Sequence, residues 1–235
     1  MTVMSEMVQV ETPGGAMPAQ LARPDRGGPV PAIVVVQEAF GLNDHMKDVG
    51  RRIAAEGYVT LTPDVYHRGG IGRTAGYEDL PRAIEMMTAL VDDEVVADVD
   101  AAIAWLQTRD DVQEGPLGIT GFCMGGRIAY LVACALPEKI AAAVPFYGGG
   151  IPVERTSTLQ APVLALFGGD DAFIPEEQIE QLRREVSKHG KDVEVVVYPG
   201  APHGFCCNER DSYRAEAAAD AWTRLTTFLA QHLRS

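Results

Sequence analysis

The sequence predicts an α/β fold: a mostly parallel, twisted sheet with helices on both faces and no large cap domain. Three observations predict it. Short apolar or β-branched runs alternate with longer amphipathic ones, no repeat or low-complexity linker interrupts them, and one apolar run passes into a helical pattern through Gly121-Phe122-Cys123-Met124-Gly125. Alternating strands and helices are accommodated by parallel strands joined through right-handed crossovers. The 235 residues suit one such unit, so residues 1–235 are expected to form a single domain.

Taken in order, residues 6–23 read as a leading antiparallel hairpin. Strands are expected at 32–36, 59–61, 117–120, 141–146, 163–167 and 193–198, mostly bounded by Gly, Pro or Asp. Helices are expected at 44–56, 81–90, 94–107, 125–136, 175–189 and 215–232. Pro175 followed by Glu176 and Glu177 is a helix start, because proline tolerates the first helical position and acids favour the positive end of the dipole. In a sheet of this kind, ligands bind outside the carboxyl ends of the strands.

Composition narrows the function. Lys and Arg total 20 against 33 Asp and Glu, and the net charge of −13 repels phosphate backbones, so nucleic acid is not an expected partner. An anionic substrate would need a local cluster of Arg or Lys. The opening MTVMSEMVQV has no basic region followed by an apolar core, and no run approaches the roughly 18 apolar residues of a membrane helix. A cytoplasmic protein is therefore expected, away from membranes, as a monomer or small homo-oligomer. Cys123, Cys134, Cys206 and Cys207 show neither C-x-x-C spacing nor a disulfide framework, which suits a reducing compartment.

The chemistry concentrates in three places. Gly118-Ile119-Thr120-Gly121-Phe122-Cys123-Met124-Gly125-Gly126 has the form of a nucleophile elbow with Cys in place of Ser, where a sharp turn raises one side chain and needs small neighbours. A helix starting here aims its amides and positive dipole end at the sulfur, favouring thiolate and a developing oxyanion. The plain alternative is a buried structural cysteine. The second place is Gly168-Gly169-Asp170-Asp171-Ala172-Phe173-Ile174-Pro175, an acid after a buried strand; the third is Pro202-His203-Gly204-Phe205, a histidine among small residues after the next strand. Nucleophile, acid and His in that order is the α/β-hydrolase order. Asp171 is the expected acid because it lies closer to the following helix, with Asp170 the alternative and one of the two expected to turn the chain. His45, His67, His189 and His232 lack such a setting.

These residues resemble the dienelactone hydrolase (carboxymethylenebutenolidase) family of the α/β-hydrolase fold, from about Val34 to Phe228. The resemblance rests on Gln37-Glu38-Ala39-Phe40-Gly41-Leu42-Asn43, Gly121-Phe122-Cys123-Met124-Gly125-Gly126, Asp171-Ala172-Phe173-Ile174-Pro175 and His203-Gly204-Phe205. It implies Cys123 as nucleophile, His203 as its base, Asp171 as the acid orienting that base, and Glu38 as a further active-site carboxylate interacting with the resting thiol. The backbone amides of Met124 and Ala39 are the implied oxyanion hole. The implied reaction is hydrolysis of a small lactone or ester through a thioacyl enzyme, with no cofactor and no metal.

Substrate recognition departs from the pattern. Family members that process dienelactone hold its carboxylate with two arginines, and Leu80 and Cys207 stand at those places here. Arg73, Arg82 or Arg210 could act from neighbouring positions, although a guanidinium clamp depends on fork geometry. Arg73, Arg82, Phe40, Tyr147, Phe173, Phe205 and Cys207 are the candidate substrate contacts. The Gly-rich stretch 67–79 is the expected mobile wall, and Cys206 with Cys207 is expected to pack rather than to switch by oxidation. The rival readings are a broad carboxylesterase or thioesterase acting on a substrate without a carboxylate, and a non-catalytic ligand-binding scaffold.

Overall fold

The chain opens with a β-hairpin whose turn is built by its own residues. In the computed structural model, which describes residues 2–25, 28–70 and 72–234, β1 (Val3–Thr12) pairs antiparallel with β2 (Gly15–Pro24). At the turn, Thr12 Oγ1 accepts from the Gly14 N–H and donates to the Gly15 carbonyl, while Gly15 takes φ 105°. The described residues fall into two compact units, Met1–Gly118 and Ile119–Ser235.

In the first unit β2 pairs antiparallel with β4 (Val59–Pro63), which pairs in parallel with β3 (Ala32–Val36), giving the order β1-β2-β4-β3. Every side chain of β3 and β4 is buried, as expected of strands covered on both faces. Helix α1 (Asp44–Ala55) starts where Asn43 Oδ1 accepts from the Met46 N–H, and Gly57 at φ 99° reverses the chain into β4. Helix α2 (Leu80–Thr88) is capped by Asp79, and α3 (Asp92–Gln107) opens on Asp92, Asp93 and Glu94 at its positive end.

His67 and Arg68 fasten this unit internally. His67 Nε2 lies 3.2 Å from Thr12 Oγ1 at the hairpin turn, and Arg68 makes two 2.8 Å bonds to Asp98, which is 1% exposed. The arginine fork gives both oxygens of this buried carboxylate a hydrogen-bond partner, which offsets part of its desolvation cost.

In the second unit the order is β5-β6-β7-β8, where β5 is Leu117–Phe122, β6 Ile140–Phe146, β7 Val163–Gly168 and β8 Val193–Tyr198. The pairs β6–β7 and β7–β8 are parallel. Between them run α4 (Met124–Ala135), whose residues from Ile128 to Cys134 are all buried, and α5 (Glu176–His189), which ends on Gly190 at φ 59°. Helix α6 (Ala215–Leu233) closes the chain. No helix among the described residues is long and apolar enough to cross a membrane.

Every expected strand and helix is present, with small shifts at the ends. Helix α4 starts at Met124 because Cys123 itself is the cap, α2 starts at Leu80 because Asp79 accepts from the Arg82 N–H, and α5 starts at Glu176 with Pro175 as its cap.

Candidate active site

Cys123 is the single joint between β5 and α4, with φ 57° and ψ −119°. A non-glycine residue held in such a region costs about 1–3 kcal/mol and persists only where its surroundings enforce it. Here the surroundings do. A Cβ on Gly121 would collide with the Gly125 carbonyl, one on Gly126 with the Phe146 carbonyl, and one on Gly148 would stand 2.6 Å from the Arg127 nitrogen. The Cys123 N–H donates to the Phe146 carbonyl at 3.0 Å, and the Cys123 carbonyl accepts from Gly126 and Arg127 at 2.9 and 3.3 Å. The Met124 N–H is then the first amide of α4, at the positive end of the helix.

The acid and the histidine come from the loops after β7 and β8, which are tied together. Gly169 donates to the Tyr198 carbonyl at 2.7 Å and Asp170 to the Ala201 carbonyl at 3.0 Å. Asp171 Oδ2 accepts from His203 Nδ1 at 2.7 Å, while its Oδ1 accepts from the Phe173 N–H at 2.9 Å. Both carboxylate oxygens are therefore engaged and their direction is set. The neighbouring Asp170 is exposed and contributes its backbone N–H to the turn. Sequence reasoning left these two acids as alternatives; the structure puts Asp171 on the ring.

With Nδ1 facing Asp171, Nε2 is left for the Cys123 sulfur, to which His203 also hydrogen-bonds. Burial opposes charge on this ring, but hydrogen bonds to Asp171 and Cys123, together with their charges, outweigh it and raise His203 to about 10. The ring is also wedged sterically. Tyr147 stands edge-on at 5.2 Å and Phe173, 58% exposed, at 5.2 Å on a second side. Tyr147 has φ 36°, held by its N–H on the Leu166 carbonyl at 2.7 Å.

The remaining candidates divide by unit. Phe205 is fully buried between Tyr147 and Tyr198, beneath the histidine loop. Cys207 is also fully buried, and Cys206 and Cys207 both remain thiols. In the first unit Glu38, Ala39 and Phe40 follow the end of β3 and are buried. The Phe40 ring meets Tyr77 at 4.8 Å, and its carbonyl accepts from the Ala75 N–H. Gly41, at φ 91°, has no room for a Cβ under the Arg73 carbonyl. The described residues of the stretch expected as a mobile wall, from which Ile71 is left out, are thus tied to Phe40 and Gly41, with Gly72 N–H also bonded to Asp64 Oδ2 at 3.1 Å. Arg73 packs its guanidinium on Gly69 beside a 170 Å³ pocket lined by Val65, Met86 and Leu90, and Arg82 donates from Nε to the Thr74 carbonyl at 3.1 Å.

One supporting residue escaped sequence reasoning. Tyr66 donates its hydroxyl to the Ala39 carbonyl at 2.9 Å and so fixes the orientation of the backbone that follows β3. Nothing in the order of residues signals it, since the two are brought together by the fold of the first unit.

Comparison with known proteins gives a consistent result. The sequence model of the dienelactone hydrolase family matches residues 17–233. A Methylorubrum extorquens protein provisionally named carboxymethylenebutenolidase is 39% identical over 96% of this chain and 80% of its own length. A Bradyrhizobium protein provisionally named 2-oxo-3-(5-oxofuran-2-ylidene)propanoate lactonase is 32% identical over 99% of this chain and 96% of its own. The crystal structure of a provisionally assigned dienelactone hydrolase from Klebsiella pneumoniae superimposes with a TM-score of 0.92 at 37% identity, covering 98% of this chain and all of that one. The α/β-hydrolase fold expected from the sequence is the fold of this neighbour and of more distant solved hydrolases.

Proposed function

The chain belongs to the dienelactone hydrolase family, and on that premise we propose that it cleaves a small lactone or ester through a thioacyl enzyme, with Cys123 as nucleophile. The observation that carries this reading is the hydrogen-bonded string Asp171–His203–Cys123 within the second unit. A binding scaffold has no use for a strained cysteine backed by a buried charged pair. The reading of residues 1–235 as one hydrolase domain is supported by a family match that runs through both units.

The steps follow from the charges. The Cys123 sulfur attacks the carbonyl carbon as thiolate, beside an imidazolium that already carries the proton. The backbone amides of Met124 and Ala39 receive the oxyanion. Collapse expels an enol or alcohol, which takes its proton from His203, and leaves acyl on sulfur. Acylation removes the sulfur's negative charge, and with it two of the causes that hold His203 high. Burial then lowers the affinity of the ring for protons, and His203 becomes the base that activates water for deacylation. Asp171 keeps the ring in place throughout. Glu38 is proposed as the further active-site carboxylate.

For the substrate, the lactonase name of the Bradyrhizobium relative supports a lactone. A substrate without a carboxylate, the broad esterase or thioesterase reading, is favoured by Leu80 and Cys207 standing where the family's arginines are expected, and by Arg82 being turned onto Thr74. The substrate is a small molecule in either case, met in the cytoplasm. The test is a panel of dienelactone, simple lactones, aryl esters and thioesters, read beside Cys123→Ala. Turnover with an acyl adduct on Cys123 seen by mass spectrometry is expected, and both should vanish in the variant. Undiminished hydrolysis by Cys123→Ala would falsify the nucleophile assignment.

A further inference from the structure

The second unit holds a 380 Å³ pocket that none of Cys123, Asp171 or His203 lines. It opens between the first turn of α4, the chain leaving β6 and α5, and its volume lies within the range of small-molecule sites. Its walls are of two kinds. Ile174 and Leu182, both buried, form an apolar floor, while Arg127, Gln178 and Glu154 supply a cation, an amide and an exposed carboxylate. The polar side is built around one residue. Arg127 Nε donates to the Gly150 carbonyl at 3.0 Å and Gln178 Oε1 accepts from the Gly150 N–H at 3.0 Å, with Gly150 at φ 64°. Gripping Gly150 from both ends fixes the guanidinium and the amide side by side at the same wall.

We propose that this pocket is a second, non-catalytic site for a small hydroxycarboxylate. The guanidinium and the Gln178 amide N–H groups suit a carboxylate, Glu154 accepts from a hydroxyl, and the apolar floor takes the carbon skeleton. Opening a lactone yields this class of compound, so the ligand class rests on the lactone reading above, although the pocket itself does not. Occupancy bears on catalysis because each neighbouring segment leads to the triad. The Arg127 N–H is bonded to the Cys123 carbonyl, the Ile174 N–H to the Asp171 carbonyl at 3.3 Å, and Gly148, also in the lining, follows Tyr147, whose ring meets His203. The site is thus placed to report product to the catalytic residues.

The test uses the intact protein with Cys123 blocked by iodoacetamide, so that the catalytic sulfur is capped, and mandelate as the probe in calorimetric titration. Saturable binding to one site is expected, weakened at least about fivefold in Gln178→Leu and abolished in Gln181→Trp, which plugs the mouth. Phenylacetate and benzyl alcohol, each lacking one recognised group, should both bind more weakly than mandelate. Gln181 is exposed, and Gln181→Trp should keep the wild-type melting temperature and uninhibited turnover of an aryl ester; Gln178→Leu also releases the Gly150 N–H and is read on binding alone. In the unblocked enzyme, mandelate should alter that turnover, and Gln181→Trp should remove the effect. Absence of saturable binding up to about 20 mM, or binding indifferent to both variants, overturns the site. Because binding is read on capped protein, a failed hydrolase reading leaves this measurement interpretable. Hydrolysis without binding sinks the second site alone.

Discussion

His203 hydrogen-bonds to Asp171, and its titration makes its place in the proposed site testable. An unfolded imidazole titrates near 6.5 and the folded ring is raised to about 10, so the folded protein holds a proton that the unfolded chain gives up between these values. The stability this brings is fully present below the unfolded value and is lost as pH rises through about 10. Urea melts of wild type and His203→Gln should therefore differ most near pH 6 and converge above about pH 10. A difference that does not change with pH would mean the ring is not charged. Asp171→Asn should lower kcat by about three to four orders of magnitude, as loss of an orienting carboxylate does in other triads, whereas Asp170→Asn should stay within about twofold. Comparable loss in both would mean the turn, not the carboxylate, is at issue. Of these residues, Cys123 and His203 were legible in the sequence because each sits in a local pattern of glycines at a strand end. The choice between two adjacent acids was not, because it depends on which carboxylate turns inward.

Among the elements, the elbow joins β5 to α4 only because glycines leave room for it. Gly126→Ala places a methyl group against the Phe146 carbonyl, and overpacking of this kind typically costs about 1–3 kcal/mol. Thermal melts should show the loss, and iodoacetamide should label Cys123 more slowly as the turn shifts. An unchanged melt would mean that α4 and β6 part without penalty. In the first unit, Tyr66→Phe strips the Ala39 carbonyl of its hydroxyl donor, and an unpaired buried carbonyl costs about 1–3 kcal/mol. If the Ala39 amide serves the oxyanion, kcat should fall with KM little changed; a change in KM alone would argue against that role. The strands and helices themselves were legible from apolar periodicity and, at α5, from Pro175 followed by two acids, whereas the caps Asn43, Asp79 and Gly190 emerged only in the structure. Helix α4 was expected from residue 125 and starts one residue earlier, at Met124, with Cys123 of the elbow as its cap.

At the scale of the whole molecule, the net charge of −13 sets how substrates approach. An anionic ester should show a KM that falls as salt rises from about 10 to about 200 mM, while a neutral ester of similar size should respond little. Equal responses would mean that local groups screen the site from the global field. Burial separates the cysteines as well: Cys134 is pushed up to about 12 by its apolar surroundings, so alkylation near neutral pH should pass it by and favour Cys123. The order of strands and helices, the turn at Cys123, and the placing of an acid pair and His203 in the loops after β7 and β8 could all be read along the chain. They depend on contacts between near neighbours and on the periodicity of side chains. The acid that meets His203, the proton that ring holds, the hydroxyl on Ala39 and the pocket around Gly150 were decided by tertiary structure. Each depends on the distance and burial of groups far apart in the chain, and electrostatic and hydrogen-bond energies follow separation in space, whatever the separation in sequence.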